Sequence, residues 1–308
     1  MNSVKIERVS WILALDSKRR IIKDGSIYIE DGKIIAIDKA YRLKPESADV
    51  VIDGLNKVVT PGFINNHMHI SYAHPVRGIF PDELPLLTYL TNVFRLQSVM
   101  TPEEEYYSTL LAIVELLKSG CTCFADPGSI GNLDAGVKAI LDAGVRAVVG
   151  RDVVDKTNPL NLPVRDTEKA VKILEDVVKT YSNISEGRVK PWVTVFSPDY
   201  ASDELLIKAK ELADHYRTVL TLHTSYSEQG VRAFQAERGR RPIEHLAHIG
   251  VLGENVLLSH SLVVSDEEID LLAKSGAKVV YCPSAAVRGS GATKYGKFPE
   301  MLNKGIAV

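Results

Sequence analysis

The chain is poor in cysteine, in like-charge blocks and in long apolar runs, and each shortage removes a class of protein. Its three cysteines, Cys121, Cys123 and Cys282, are too few for a disulfide framework. Cys121 and Cys123 flank Thr122 in an apolar run and read as small buried hydrophobes. No apolar stretch reaches the ~20 residues that span a bilayer. The opening MNSVKIERVSWILALD carries Lys5, Glu7 and Arg8 ahead of a short apolar run, which fits no secretory signal. A soluble, cytoplasmic protein is expected. Thirty-seven Lys and Arg against 39 Asp and Glu leave a net charge of −2 without blocks of one sign. That excludes the electrostatic footprint of a nucleic-acid or anionic-membrane binder, and a small-molecule partner is expected instead.

What is present is a large core and two kinds of pattern. With 308 residues, 45% of them hydrophobic, the chain has material for one large α/β barrel or two domains. Residues 1–58 hold short β-like runs: Ser10 to Leu15, Ser26 to Glu30, Lys33 to Asp38 and Val50 to Asp53. Asp31-Gly32, between two of them, is a strong hairpin signal. This segment reads as a piece of a small β-sandwich.

From residue 59 the pattern becomes strand, loop, helix, repeated. Apolar runs end near His69, Asp126, Asp152, Asp199, His223, His260 and Cys282. Helical segments fall at Thr101 to Lys118, Arg165 to Tyr181, Asp203 to His215 and Ser265 to Lys274, and Ser71 to Met100 reads as a long loop. Such alternation predicts right-handed βα units around a parallel sheet, and continuous apolar strands predict burial on both faces, as in a (β/α)8 barrel. An eighth unit opens at Gly305-Ile306-Ala307-Val308, where the sequence stops.

Thr60-Pro61-Gly62-Phe63-Ile64-Asn65-Asn66-His67-Met68-His69 places two imidazoles two residues apart at the end of the first of these strands. Residues i and i+2 of a strand share a face, so the two rings converge, and neutral imidazoles are good ligands for Zn(II) or Fe(II). His223 closes the fifth strand and His260 the sixth, which puts four histidines on the C-terminal rim, the catalytic face of such barrels. His74, in the loop, is a further candidate for lining the pocket.

These histidines, together with Arg77-Gly78 followed by Asp82-Glu83-Leu84-Pro85-Leu86, and Ser259-His260 leading to Asp266-Glu267-Glu268, Gly276 and Cys282-Pro283-Ser284, stand in one order along the chain. In that order they resemble the amidohydrolase superfamily, in particular its cytosine deaminase and chlorohydrolase-like branch, over nearly the whole chain. The resemblance implies a TIM-type (β/α)8 barrel over residues 59–308, its eighth unit truncated, with residues 1–58 as the N-terminal part of a composite β-sandwich domain. It implies one divalent metal, Zn(II) first and Fe(II) second, held by His67, His69 and His223. His260 would then bond the metal-bound water and polarise the substrate, and a further aspartate is expected beyond Val308. The carboxylated lysine of the superfamily's binuclear branch has no counterpart, since the fourth strand ends Phe196-Ser197-Pro198-Asp199-Tyr200 and the nearby lysine, Lys190, lies at its start.

Two departures bear on the reaction. Deaminases of this branch carry a glutamate three residues after the fifth-strand histidine, where this chain has Tyr226; phenol, with its pKa near ~10, is a poor base at neutral pH. Glu228, two residues on, is the candidate to take over. Gln97 stands where nucleoside-type relatives have a glutamate suited to a ribose diol, and a neutral amide bonds a diol more weakly. Arg77, Gln97 and His74 are the expected substrate-binding residues. The expected function is metal-dependent hydrolysis of a non-peptide C–N bond, by deamination or dechlorination of an aminopyrimidine, aminotriazine or purine-like ring through a metal-bound hydroxide, in a homo-oligomer. Two alternatives stand beside it: an incomplete barrel that only binds a small molecule, and a binuclear amidase of the dihydroorotase type.

Overall fold

The computed structural model of the chain describes residues 3–42, 47–72, 74–81, 83–182, 184–289 and 296–308. The motif residue Asp82 lies outside them. The chain divides into two compact units, Met1–Phe63 and Ile64–Val308.

In the first unit β1 (Ser3–Leu13), β2 (Ile21–Glu30), β3 (Lys33–Lys39) and β4 (Val50–Asp53) form a sheet in the order β3-β2-β1-β4, and β5 (Val58–Val59) pairs parallel to β1. Asp31 and Gly32 both adopt positive φ, 48° and 73°, as a tight hairpin turn requires. β1 begins seven residues before the expected start. Lys5, Glu7 and Arg8 break its apolar alternation, but pairing of Val4 with Val50 and Ile6 with Ile52 makes those residues strand all the same. Val9, Ile12, Ile22 and Ile27 form this unit's core.

The second unit is a succession of parallel strands. β6 (Phe63–Asn65), β7 (Cys121–Ala125), β8 (Arg146–Val149) and β9 (Val189–Pro191) neighbour one another in that order, as do β10 (Val193–Thr194), β11 (Leu220–Thr224), β12 (Val256–His260) and β13 (Lys278–Val280). β9 and β10 are one strand interrupted at Trp192, whose N–H donates to Val149 O at 3.0 Å, so the two series run on from each other. Beyond β13, the Val279 N–H donates to Ala307 O at 3.0 Å. With helices between the strands, this is a TIM-like α/β fold.

The helices are α1 (Leu86–Gln97), α2 (Pro102–Lys118), α3 (Leu133–Ala143), α4 (Thr167–Tyr181), α5 (Asp203–His215), α6 (Glu228–Arg238), α7 (Pro242–His248), α8 (Asp266–Ser275), α9 (Pro283–Gly289) and α10 (Phe298–Asn303). Their starts are chemically marked. Thr101 and Glu104 make a reciprocal capping box on α2, Ser265 and Glu268 another on α8, and Asn132, Ser202 and Ser227 cap α3, α5 and α6. α1 corrects the expected loop at 71–100. It has no side-chain cap, and what holds it is tertiary: Val93 and Phe94 pack with Tyr72 and Val76. No described helix is long and apolar enough to cross a membrane.

Candidate metal centre

β6 ends at Asn65, so His67 and His69 lie just past the strand rather than within it. The Met68 N–H donates to Ala125 O at 3.0 Å and keeps the segment alongside β7. His223 sits within β11 and His260 at the end of β12, and the β11–β12 register pairs His223 with Ser259 and Thr224 with His260. The four rings meet: His67 lies 4.9 Å from His69, 5.0 Å from His223 and 5.2 Å from His260, centroid to centroid. Nε2 of His69 and Nε2 of His223 are 3.3 Å apart, and His67, His69 and His223 each offer one nitrogen within 4.8 Å of the others.

The donor chemistry fits a divalent ion. Two ligands at ~2.0–2.1 Å on a tetrahedral ion stand ~3.4 Å apart, which matches the His69–His223 separation. His223 Nδ1–H donates to Phe196 O at 2.7 Å, which leaves Nε2 with its lone pair aimed at the cluster. His67 Nδ1 pairs with Ser259 Oγ at 2.9 Å, and its Nε2 is the remaining ligand atom. Burial, reinforced by the neighbouring imidazoles, holds His67 and His69 well below the usual imidazole range; burial brings His223 to about 4 and His260 to about 3. All four rings are therefore neutral at pH 7, the form that ligates metal.

His260 has φ 75°, left-handed for a non-glycine residue, and Ser261 follows at 46°. The turn is pinned by Ser261 N–H to Thr224 O at 3.1 Å and Val263 N–H to Ser225 O at 3.0 Å. It presents the His260 ring to His223, stacked at 5.5 Å, and to the edge of Tyr226 at 4.9 Å. The Tyr226 hydroxyl donates to Ala285 O at 2.9 Å.

Other expected site residues stand elsewhere. Glu228 is exposed in the first turn of α6 and pairs with Arg232 at 3.0 Å. Arg77 and His74 both meet Glu115 of α2, at 2.7 and 3.2 Å. His74 lines a groove of about 690 Å³ with Ile79, Leu96, Met100 and Tyr107, and none of the three clustered imidazoles borders it. Gln97 lies beside the loop that follows His69, its amide nitrogen bonded to Ser71 Oγ at 2.8 Å and to Ser129 O. Lys190 is exposed in β9.

Sequence reading passed over four groups. Ser259 and the Phe196 carbonyl orient two of the imidazoles. Tyr72 stacks on His69 at 5.1 Å. Asp126, fully buried, accepts from the backbone N–H groups of Ile70, Gly128 and Ser129 at 3.0, 2.8 and 2.6 Å and from Ser129 Oγ at 2.7 Å. Asp126 left a sequence signal as the polar residue ending an apolar run, and Ser259 as the neighbour of His260 in the ordered motif. Tyr72, Phe94 and Phe196 also connect His69 to His223 through ring contacts of 5.0–6.0 Å.

Neutral imidazoles gathered at the strand ends of a parallel α/β fold, with the far nitrogens of His67 and His223 fixed by hydrogen bonds, define a metal-binding hydrolase site of the TIM-barrel class. The chain belongs to the amidohydrolase family, whose sequence profile matches residues 58–308. It is 32% identical over 300 residues to a 5-methylthioadenosine/S-adenosylhomocysteine deaminase of Bacillus thuringiensis, covering 96% of this chain and 67% of the relative. A 5'-deoxyadenosine deaminase of Methanothermobacter thermautotrophicus is 31% identical over 292 residues, covering 93% and 64%. In fold it resembles the zinc-complexed atrazine chlorohydrolase TrzN of Arthrobacter aurescens, with TM-score 0.88 and 23% identity over 98% of this chain and 70% of that one.

Proposed function

We propose that the chain is a mononuclear metal-dependent hydrolase that removes an amino group or halide from a small nitrogen heterocycle. The observation that carries this is the 3.3 Å between the His69 and His223 Nε2 atoms, with His67 completing a three-imidazole set. Three neutral imidazole nitrogens would suit a catalytic Zn(II) ahead of Fe(II). A bound ion would supply Lewis acidity, lowering the pKa of water to near neutrality.

The chain's own residues do the rest. His260, neutral and braced against His223 and Tyr226, is the group that hydrogen-bonds the attacked carbon's substituent and stabilises charge developing there. Tyr72, Phe94 and Phe196 pack as an aromatic chain that supports the His69 and His223 rings. Tyr226, with its hydroxyl on Ala285 O, stands where a carboxylate proton shuttle is expected, and Glu228 faces solvent. Gln97 stands where nucleoside-type relatives have a glutamate, and its neutral amide oxygen accepts from a diol more weakly than a carboxylate, which favours aminopyrimidine, aminotriazine or guanine-like rings over nucleosides carrying a ribose diol. The same reading takes residues 59–308 as a (β/α)8 barrel and residues 1–58 as part of a composite β-sandwich.

Elemental analysis combined with a panel of aminated and chlorinated pyrimidines, triazines and purines tests the proposal. One divalent ion per chain, with ammonia or chloride released from at least one ring, is the expected result. Two ions per chain would point to a binuclear amidase instead. One ion with every ring untouched sinks the proposed reaction, and a protein that takes up no ion sinks the whole reading.

A further inference from the structure

The three clustered imidazoles are not oriented alike. His67 Nδ1 is tied to Ser259 and His223 Nδ1 to Phe196 O, whereas His69 Nδ1 is buried with no hydrogen-bond partner among the described residues. A metal-ligating histidine ordinarily uses its second nitrogen to fix ring orientation. His69 must be held by something else.

What surrounds it is a closed circuit through the next residues of its loop. The Ile70 N–H donates to Asp126 Oδ2 at 3.0 Å, and Ser129 Oγ donates to the same oxygen at 2.7 Å. Gln97, in the last turn of α1, then joins Ser129 to Ser71: its Nε2 donates to Ser129 O and to Ser71 Oγ. A primary amide has two N–H donors, and both are engaged. Ser108 Oγ of α2 donates to Ser71 O, closing the far side. Ile70 and Ser71 are thereby fixed from β7, α1 and α2 at once, and Tyr72, next along, lies flat against the His69 ring.

We propose that Gln97 is a positioning residue for His69: it anchors Ser71 to Ser129, and through that anchor it sets the ring whose own second nitrogen is untethered. This inference rests on the metal-site reading above. It assigns Gln97 to the ligand scaffold and not to substrate.

The test is metal affinity, measured on the whole chain by competition with a chromophoric chelator, together with the Co(II) ligand-field spectrum. Gln97→Glu is nearly isosteric but cannot donate, and it turns an oxygen toward Ser129 O; Ser71→Ala removes the other acceptor without touching α1. Each variant is expected to bind the ion ~10–100-fold more weakly, the range for lost outer-shell partners. Gln97→Glu is also expected to alter the Co(II) spectrum while the metal-free melting temperature stays within a few degrees of the parent. Wild-type affinity in both variants overturns the inference, as does unchanged affinity with KM alone raised, which would make Gln97 a substrate contact. If Gln97→Glu fails to fold, Ser71→Ala decides; failure of both to fold also overturns it, since the circuit would then serve the fold. A parent protein that binds no ion refutes the metal-site reading itself, a different outcome from a parent that binds while the variants bind equally well.

Discussion

His260 combines a strained backbone, a buried neutral ring and a place beside the ligand set, and residues held in sparsely populated conformations cluster at functional sites. His260→Asn keeps a polar group at the rim and leaves His67, His69 and His223 intact. Its kcat is expected to fall ~10²-fold or more, the scale for losing one preorganised donor, with metal content unchanged by elemental analysis. Glu228→Gln is expected to stay within about twofold of the parent in the same assay, because that carboxylate is exposed and ion-paired only at the surface. Asp152 behaves differently: burial, followed by repulsion from Asp126, raises it to about 8. A carboxyl group raised on folding is more protonated folded than unfolded, so its stability contribution is greatest near pH 4 and is lost as pH rises toward 8. Asp152→Asn should remove that loss, and its advantage over the parent in urea unfolding should grow by about 2 kcal/mol between pH 5 and pH 8, a discounted figure at 1.36 kcal/mol per unit. No growth would mean that Asp152 ionises normally.

At the scale of elements, the site depends on how the ends of β7 and β8 are brought together. Gly128 has φ +103°, and a Cβ there would lie 2.4 Å from the Asp152 backbone nitrogen and 2.8 Å from Thr194 Oγ1. Gly128→Ala is therefore expected to destabilise the protein by about 3 kcal/mol in urea unfolding, since backbone and a buried hydroxyl would both have to move. Elements whose cause is local were legible beforehand. The ends of β7, β11 and β12 follow from where apolar runs meet a polar residue, and α2 and α8 from Thr101-Pro102 with Glu104 and Ser265 with Glu268. α1 was hidden because Pro85 offers no cap and the helix is supported by Val93 and Phe94 packing on Tyr72 and Val76. That packing places Gln97 beside Ser71, across 26 residues.

For the whole molecule, metal and stability are linked. An ion that binds the folded chain and not the unfolded one stabilises it by RT ln(1 + [L]/Kd), about 2.7 kcal/mol at a hundredfold excess over Kd. Stripping the ion with a chelator should lower the melting temperature by several degrees, and re-adding Zn(II) should restore it; a chelator-insensitive melt would show that no ion is bound. From sequence alone came the α/β alternation, the Asp31-Gly32 hairpin and four histidines at the ends of three strands, because strand period, turn chemistry and helix caps act over a few residues. Tertiary structure alone decided which nitrogen of each ring is available. Ser259 reaches His67 across 192 residues, and the Phe196 carbonyl reaches His223 from a neighbouring strand. It also decided that Glu228 faces water and that Gln97 faces Ser71. Such pairings are set by how neighbouring parallel strands and their loops pack, and hydrophobic periodicity, which specifies a face, carries no information about what lies across from it.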